Sequence, residues 1–151
     1  MRSVKFRAYC KDQKAFIYLY LNDVDESLFG RHGILENEVF EPWQEFTGLK
    51  DKNGVDIYKG DIVKMIVPIW ENYPDGAYND PPKWEGTATY IGEVRTYLRG
   101  IQIVKPKTII EYDGDKKTHQ KTNNKNLLSR GVNTEVIGNI YENPEILGEN
   151  K

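Results

Sequence analysis

Four residues, Asp51-Lys52-Asn53-Gly54, constrain the fold of this chain more than any others. Asn and Gly tolerate the positive φ that a tight hairpin turn demands, so the flanking segments 46–49 and 55–57 are expected to pair as antiparallel strands. The same pattern recurs along the chain. Val4, Phe6, Ala8 and Cys10 alternate with Lys5, Arg7 and Tyr9, and the apolar run 15–21 follows the polar link 11–14, which reads as another hairpin. Segment 39–46 is extended but interrupted by Pro42, which places that point on an edge or at a bulge. Lys59-Gly60-Asp61 is a further turn, where Asp61 is expected to satisfy exposed amides, and 62–67 is a nearly unbroken apolar strand. Additional strands are expected at 86–94, 101–104, 108–112 and 134–140. Residues 22–37 are acidic and cut by Gly30 and Gly33, so they read as a loop with one helical turn around 26–29. Short strands with turn punctuation and no long helical period predict an all-β chain.

At 151 residues the chain has room for one domain, or a small barrel carrying a second subdomain. Ten Tyr, five Phe and three Trp are too many aromatics for a disordered chain. No apolar run approaches the roughly 18 residues of a membrane span, and the N-terminus lacks the apolar core of a signal peptide, so a cytoplasmic location is expected. Cys10 is the single cysteine and only two histidines are present, so neither a disulfide nor a metal site is expected. No cofactor is implied.

Two stretches depart from the strand pattern. Residues 68–84 carry Pro68, Pro74, Pro81 and Pro82 with Trp70, Tyr73, Tyr78 and Trp84. Prolines resist a ladder and aromatics offer rigid contact area, so the stretch is expected to be an insertion between strands. Trp70, Tyr73, Tyr78 and Trp84 are the candidate protein-interface residues. Residues 105–130 contain seven basic and three acidic side chains, net +4, whereas 22–56 contain nine acidic and three basic, net −6. Lys116, Lys117, Lys121, Lys125 and Arg130 could contact phosphates, with Tyr112 stacking on a base; the alternative is an ordinary solvated loop.

Signals for catalysis are thin. The 51–56 motif lacks the Gly at position six and the Glu at position twelve of a calcium loop, where the chain has Asp56 and Ile62. Glu111 and Asp113 share a face near a hairpin tip but are followed by lysines rather than apolar walls. His32 and His119 have no nucleophile context, and the glycines form no phosphate-cradling loop. The chain is read as a binding protein and not as an enzyme.

Three phrases carry a family likeness: KFRA at 5–8, EFTGLKDKNGVDIYKGDIV at 45–63 and VIGNIYENPEIL at 136–147. In kind and order they resemble the YopX family of phage and prophage proteins. Tyr9 and Cys10 stand where that family commonly has Trp and Asp. The resemblance implies an all-β protein, whose later part forms a small SH3-like barrel, and it assigns no biochemical activity. The expected organisation is an N-terminal β-hairpin subdomain at 1–44 and an SH3-like barrel at 45–147, with the Pro/Trp-rich insertion at 68–84. The expected role is a bacterial-host, cytoplasmic binding module for protein partners or self-association, with nucleic-acid binding by 105–130 as the alternative.

Overall fold

In the computed structural model the described residues are 5–20, 40–70, 84–97, 100–112, 115–119, 123, 125–126 and 133–148. They are all-β, arranged in two sheets with one short 3-10 helix at Pro144–Leu147. The first sheet has strand order β2-β1-β3-β4, formed by β1 Lys5–Cys10, β2 Ala15–Tyr20, β3 Gln44–Lys50 and β4 Asp56–Tyr58. In the second, β5 Asp61–Trp70, β6 Trp84–Tyr97, β7 Gly100–Tyr112, β8 Asp115–His119 and β10 Thr134–Asn139 run in the order β10-β5-β6-β7-β8. The two-residue β9, Lys125–Asn126, pairs with β7 beside β8. All of these pairings are antiparallel, as hairpin-rich chains favour.

Both expected hairpins are present. β1 and β2 pair from Lys5↔Tyr20 to Cys10↔Ala15, and β3 pairs with β4 around the 51–54 turn, with Gly54 at φ 82°. Asp51 makes that turn cohere, because its Oδ1 accepts from the amides of Asn53 at 2.8 Å and Val55 at 2.9 Å. Its Oδ2 accepts from Val136 at 3.0 Å, which ties the turn to β10 in the other sheet. β3 also pairs with β1 through Phe6↔Glu45 and Arg7↔Gln44, so the β3–β4 hairpin extends the N-terminal sheet.

The core lies where that hairpin covers the second sheet. Ile57, Val63, Met65, Val94 and Ile103 are buried together, with Leu49, Val67, Tyr90, Ile101 and Val136 packed against them. At about 25 cal/mol per Å² of apolar surface, each such buried aliphatic side chain stabilises the fold by about 1.5–3 kcal/mol. Gly60 lets the chain pass between the sheets, donating to Val94 O at 2.9 Å and accepting from Ile140 N at 3.0 Å. Its φ is 86°, and a Cβ there would lie 1.9 Å from Gln44 Nε2, so both backbone and space require glycine.

Two expectations are corrected. Segments 101–104 and 108–112 are not separate strands but parts of β7, joined at Lys105 (φ 39°) where the register shifts opposite Gly92. A β-bulge absorbs the extra residue, so the interruption bends the strand instead of ending it. Pro68 was expected to leave the ladder, yet it lies within β5 opposite Thr87, and Trp70 still pairs with Trp84. The reason is that β10 reaches only as far as Met65 along β5, so among the described residues Pro68 has no partner on that side and its missing N–H costs nothing. The helical turn expected at 26–29 lies outside the described residues.

The closing strand ends at Asn139, and the 3-10 helix after it packs against β6. Val136 and Ile137 are in β10, while Ile140 and Tyr141 occupy the turn after it, where Asn139 Oδ1 accepts from Tyr141 N at 3.0 Å and Glu142 N at 2.9 Å. Pro144, Ile146 and Leu147 are half-buried in the 3-10 helix, which Gly148 terminates at φ 72°. Among the described residues no helix is long and apolar enough to cross a membrane.

Candidate functional site

Alternation along β1 and β2 brings Lys5, Arg7 and Tyr9 to the same face as Tyr20, Tyr18 and Phe16, their cross-strand partners. Gln44 pairs with Arg7, and Phe46 with Tyr58, so β3 and β4 continue this face. Six rings form a chain across it: Tyr141 stacks on Tyr9 at 5.5 Å, Tyr9 meets Phe16 at 5.2 Å, and Phe16 leads through Tyr18 to Tyr58 and Phe46. Two cations sit among the rings. Lys5 Nζ lies 5.0 Å from the Phe46 centroid and 5.7 Å from that of Tyr20, while Arg7 Cζ lies 4.1 Å from Phe16 and 4.5 Å from Tyr58.

Arg7 is buried and paired. Its Nε donates to Gln44 Oε1 at 2.9 Å and its Nη2 forms an ion pair with Asp61 Oδ1, joining the aromatic face to the first residue of β5. Asp61 Oδ2 accepts from Tyr58 N at 2.8 Å, so the carboxylate does satisfy the 59–61 turn, and also holds a guanidinium. Burial pushes the Asp61 carboxyl above the usual range, opposed by Arg7 and the Tyr58 amide. Burial, with Asp56 nearby, raises the Tyr58 phenol to about 12, which keeps it protonated at neutral pH.

Between the exposed β2 edge of this face and the β3–β4 turn runs a groove of about 360 Å³. Tyr18 and Tyr20, 51% and 45% exposed, form one wall, Tyr58 and the Arg7–Asp61 pair the floor, and Lys50, Val55 and Asp56 the other wall. Asp56 accepts from Lys5 at 3.0 Å and from Lys50 at 2.5 Å. Burial alone would raise its pKa, but these two ammonium groups outweigh that and hold it below the ordinary carboxylate value. The groove offers ring faces, phenol hydroxyls and one ammonium group, that of Lys50, itself paired with Asp56. Among the described residues no group of His, Cys, Asp and Glu is disposed to hold a metal ion.

A family model described as YopX protein matches residues 5–148, nearly the whole chain. The chain belongs to the YopX family. Among solved structures, the YopX chain is similar to the crystal structure of protein EF1440 from Enterococcus faecalis, at 20% identity and a TM-score of 0.40, covering 95% of this chain and 97% of that one. No curated protein matches it.

Of the interface candidates in this YopX protein, Trp70 and Trp84 are brought opposite each other at the end of the β5–β6 ladder. Tyr73 and Tyr78 lie outside the described residues. Of the basic candidates, Lys116 and Lys117 lie on β8, a paired strand and not a loop, with all five residues exposed. As strand neighbours they point to opposite faces. Lys117 and His119 share a face with Ile110, Thr108 and Tyr112, and Lys125 Nζ sits 5.1 Å from the ring of Tyr90 on that same face. Lys121 and Arg130 lie outside the described residues. The groove residues Arg7, Tyr18, Tyr20 and Tyr58 were not singled out by sequence. The available signal was the period-two spacing of Phe16, Tyr18 and Tyr20, which puts three rings on one face of β2.

Proposed function

We propose that this YopX-family protein is a phage or prophage binding module, working without catalysis in the cytoplasm of its bacterial host through a protein–protein contact or self-association. The observation that supports this reading is the pairing of Trp70 with Trp84 across the end of the β5–β6 ladder. It holds both ends of segment 71–83, which carries Tyr73, Tyr78, Pro74, Pro81 and Pro82. Aromatic residues dominate interface hot spots, and tethered ends and prolines lower the ordering cost of binding. In this reading the stretch is the Pro/Trp-rich insertion of a small SH3-like barrel.

The test is Trp70→Ala with Trp84→Ala in the tagged protein captured from host cells. Cooperative melting should persist while partner binding or self-association weakens by about 2 kcal/mol or more. Loss of cooperative melting, or undiminished binding, contradicts the reading.

A second reading, nucleic-acid binding, is favoured by one specific arrangement: Tyr90, Tyr112, Lys117, His119 and Lys125 share a single sheet face, so rings and cations could engage bases and phosphates together. Here Lys117→Ala with Lys125→Ala should reduce the salt slope of single-strand binding by about 2. An unchanged slope, or no binding, removes this reading.

A further inference from the structure

We propose that the outer edge of β2 pairs antiparallel with β2 of a second copy of the chain, joining their two N-terminal sheets into one about a two-fold axis at Tyr18. The end strand of a sheet presents backbone N–H and C=O groups without ladder partners, and proteins guard such edges with charges, prolines, bulges or covering loops. β8, at one end of the second sheet, is guarded by Asp115, Lys116, Lys117 and His119. β10, at the other end, is covered by the 51–54 turn: Lys52 N donates to Thr134 O at 2.8 Å and Val136 N to Asp51 Oδ2 at 3.0 Å. β2 has none of these guards. Its sequence, Ala15-Phe16-Ile17-Tyr18-Leu19-Tyr20, contains no charged residue, proline or glycine, and its register against β1 runs unbroken. Among the described residues nothing pairs with its other side.

The strand is complementary to itself. Two antiparallel neighbours related by a two-fold axis perpendicular to their sheet keep matching faces on the same side, so directly opposed residues are an even number of positions apart. With Tyr18 on the axis, Phe16 opposes Tyr20 of the second copy and Ile17 opposes its Leu19. Rings then meet rings on one face and aliphatic side chains meet on the other, both favourable cross-strand pairings with no like charges opposed.

Neighbouring registers fit less well. With Ile17 on the axis, Tyr20 would face Lys14, which lies in the turn before the strand at φ 50° and does not continue a ladder. With Leu19 on the axis, only residues 18–20 of β2 would be paired with one another. The Tyr18 register pairs residues 16–20 and covers the two exposed rings of the strand, Tyr18 and Tyr20. It also carries the row of rings that runs through Tyr9, Phe16 and Tyr18 across the axis into the second copy. Because one edge serves both copies, the contact is isologous and closes at two chains. It uses a surface separate from Trp70 and Trp84, so either contact can fail without the other.

One strand edge with one row of rings is a small interface, so sedimentation velocity of the purified full chain should show dimers forming over about 1–500 μM. Tyr18→Lys and Tyr18→Glu each oppose like charges at the axis and should each weaken dimerisation by at least about tenfold. An equimolar mixture of the two opposes Lys to Glu and should recover it, whereas Trp70→Ala with Trp84→Ala should dimerise like wild type. If a Tyr18 variant does not melt cooperatively, hydrogen exchange of the wild type decides: β2 amides should exchange more slowly at high concentration than at low, with β8 amides unchanged. A wild type that is monomeric throughout, or a mixture no more associated than its components, overturns the proposal. So do β2 amides equally protected at every concentration, the result expected if the chain covers its own edge. Dimerisation that survives Tyr18→Lys but is lost in the tryptophan variant also overturns it, and assigns association to the segment between Trp70 and Trp84.

Discussion

Arg7 and Asp61 show what a single residue pair contributes in this protein. Two opposite charges, 7% and 2% exposed at their side chains, are expensive to remove from water, and the Gln44 and Tyr58 hydrogen bonds complete their solvation inside the protein. Asp61→Ala would leave a buried guanidinium without its counter-charge and should cost about 3–5 kcal/mol in denaturant unfolding. Replacing both charges, Arg7→Met with Asp61→Leu, should recover at least half of that loss. A single variant as stable as wild type would show that the pair contributes little.

Asp51 gives a pH prediction of definite sign. Burial raises its pKa, but the amides of Val136, Val55 and Asn53, together with Lys52, outweigh burial and leave it lowered. A carboxyl lowered by folding stabilises the native state above its unfolded value of about 3.9 and loses that contribution as pH falls through the folded value. Asp51→Asn should therefore be less stable than wild type at pH 7, and the gap should narrow between about pH 4 and pH 2. Asp61, raised by burial, contributes in the opposite direction just above pH 3.9, so the informative quantity is the variant-minus-wild-type difference. A gap that stays constant across that range would contradict the assignment to Asp51.

At the scale of elements, turns were the legible part. The 11–14 link, the 51–54 turn and the 59–61 turn were readable because Gly, Asn and Asp act through local backbone conformation. The continuity of β7 was not, because Lys105 and Pro106 look like a break until Gly92 on the neighbouring strand accommodates the bulge. β10 shifts register between Val136 and Gly138. A Cβ at Gly138 would lie 2.6 Å from Asn143 Oδ1, in the turn that leads to the 3-10 helix. Gly138→Val should cost about 1–3 kcal/mol, as overpacking does, and a variant melting within error of wild type would show that the turn yields freely.

At the scale of the whole molecule, the sequence carried the fold class and the family through phrases that recur as turns, strands and the docked chain end. It did not carry the groove, whose lining comes from β1, β2, β3, β4, the start of β5 and β10, because the two hairpins are brought together by pairings that span tens of residues. The interface candidates were legible by composition, but the ladder that pairs Trp70 with Trp84 is a long-range fact. The central claim, a binding protein whose partner is protein, is tested most directly by capturing the tagged full chain from host cells with and without nuclease. Co-purifying protein, whether a second partner or untagged copies of this chain, should be retained undiminished after nuclease treatment. Retention that disappears on nuclease treatment, with nucleic acid in the untreated eluate, would contradict the account and favour the face of Tyr90, Lys117 and Lys125.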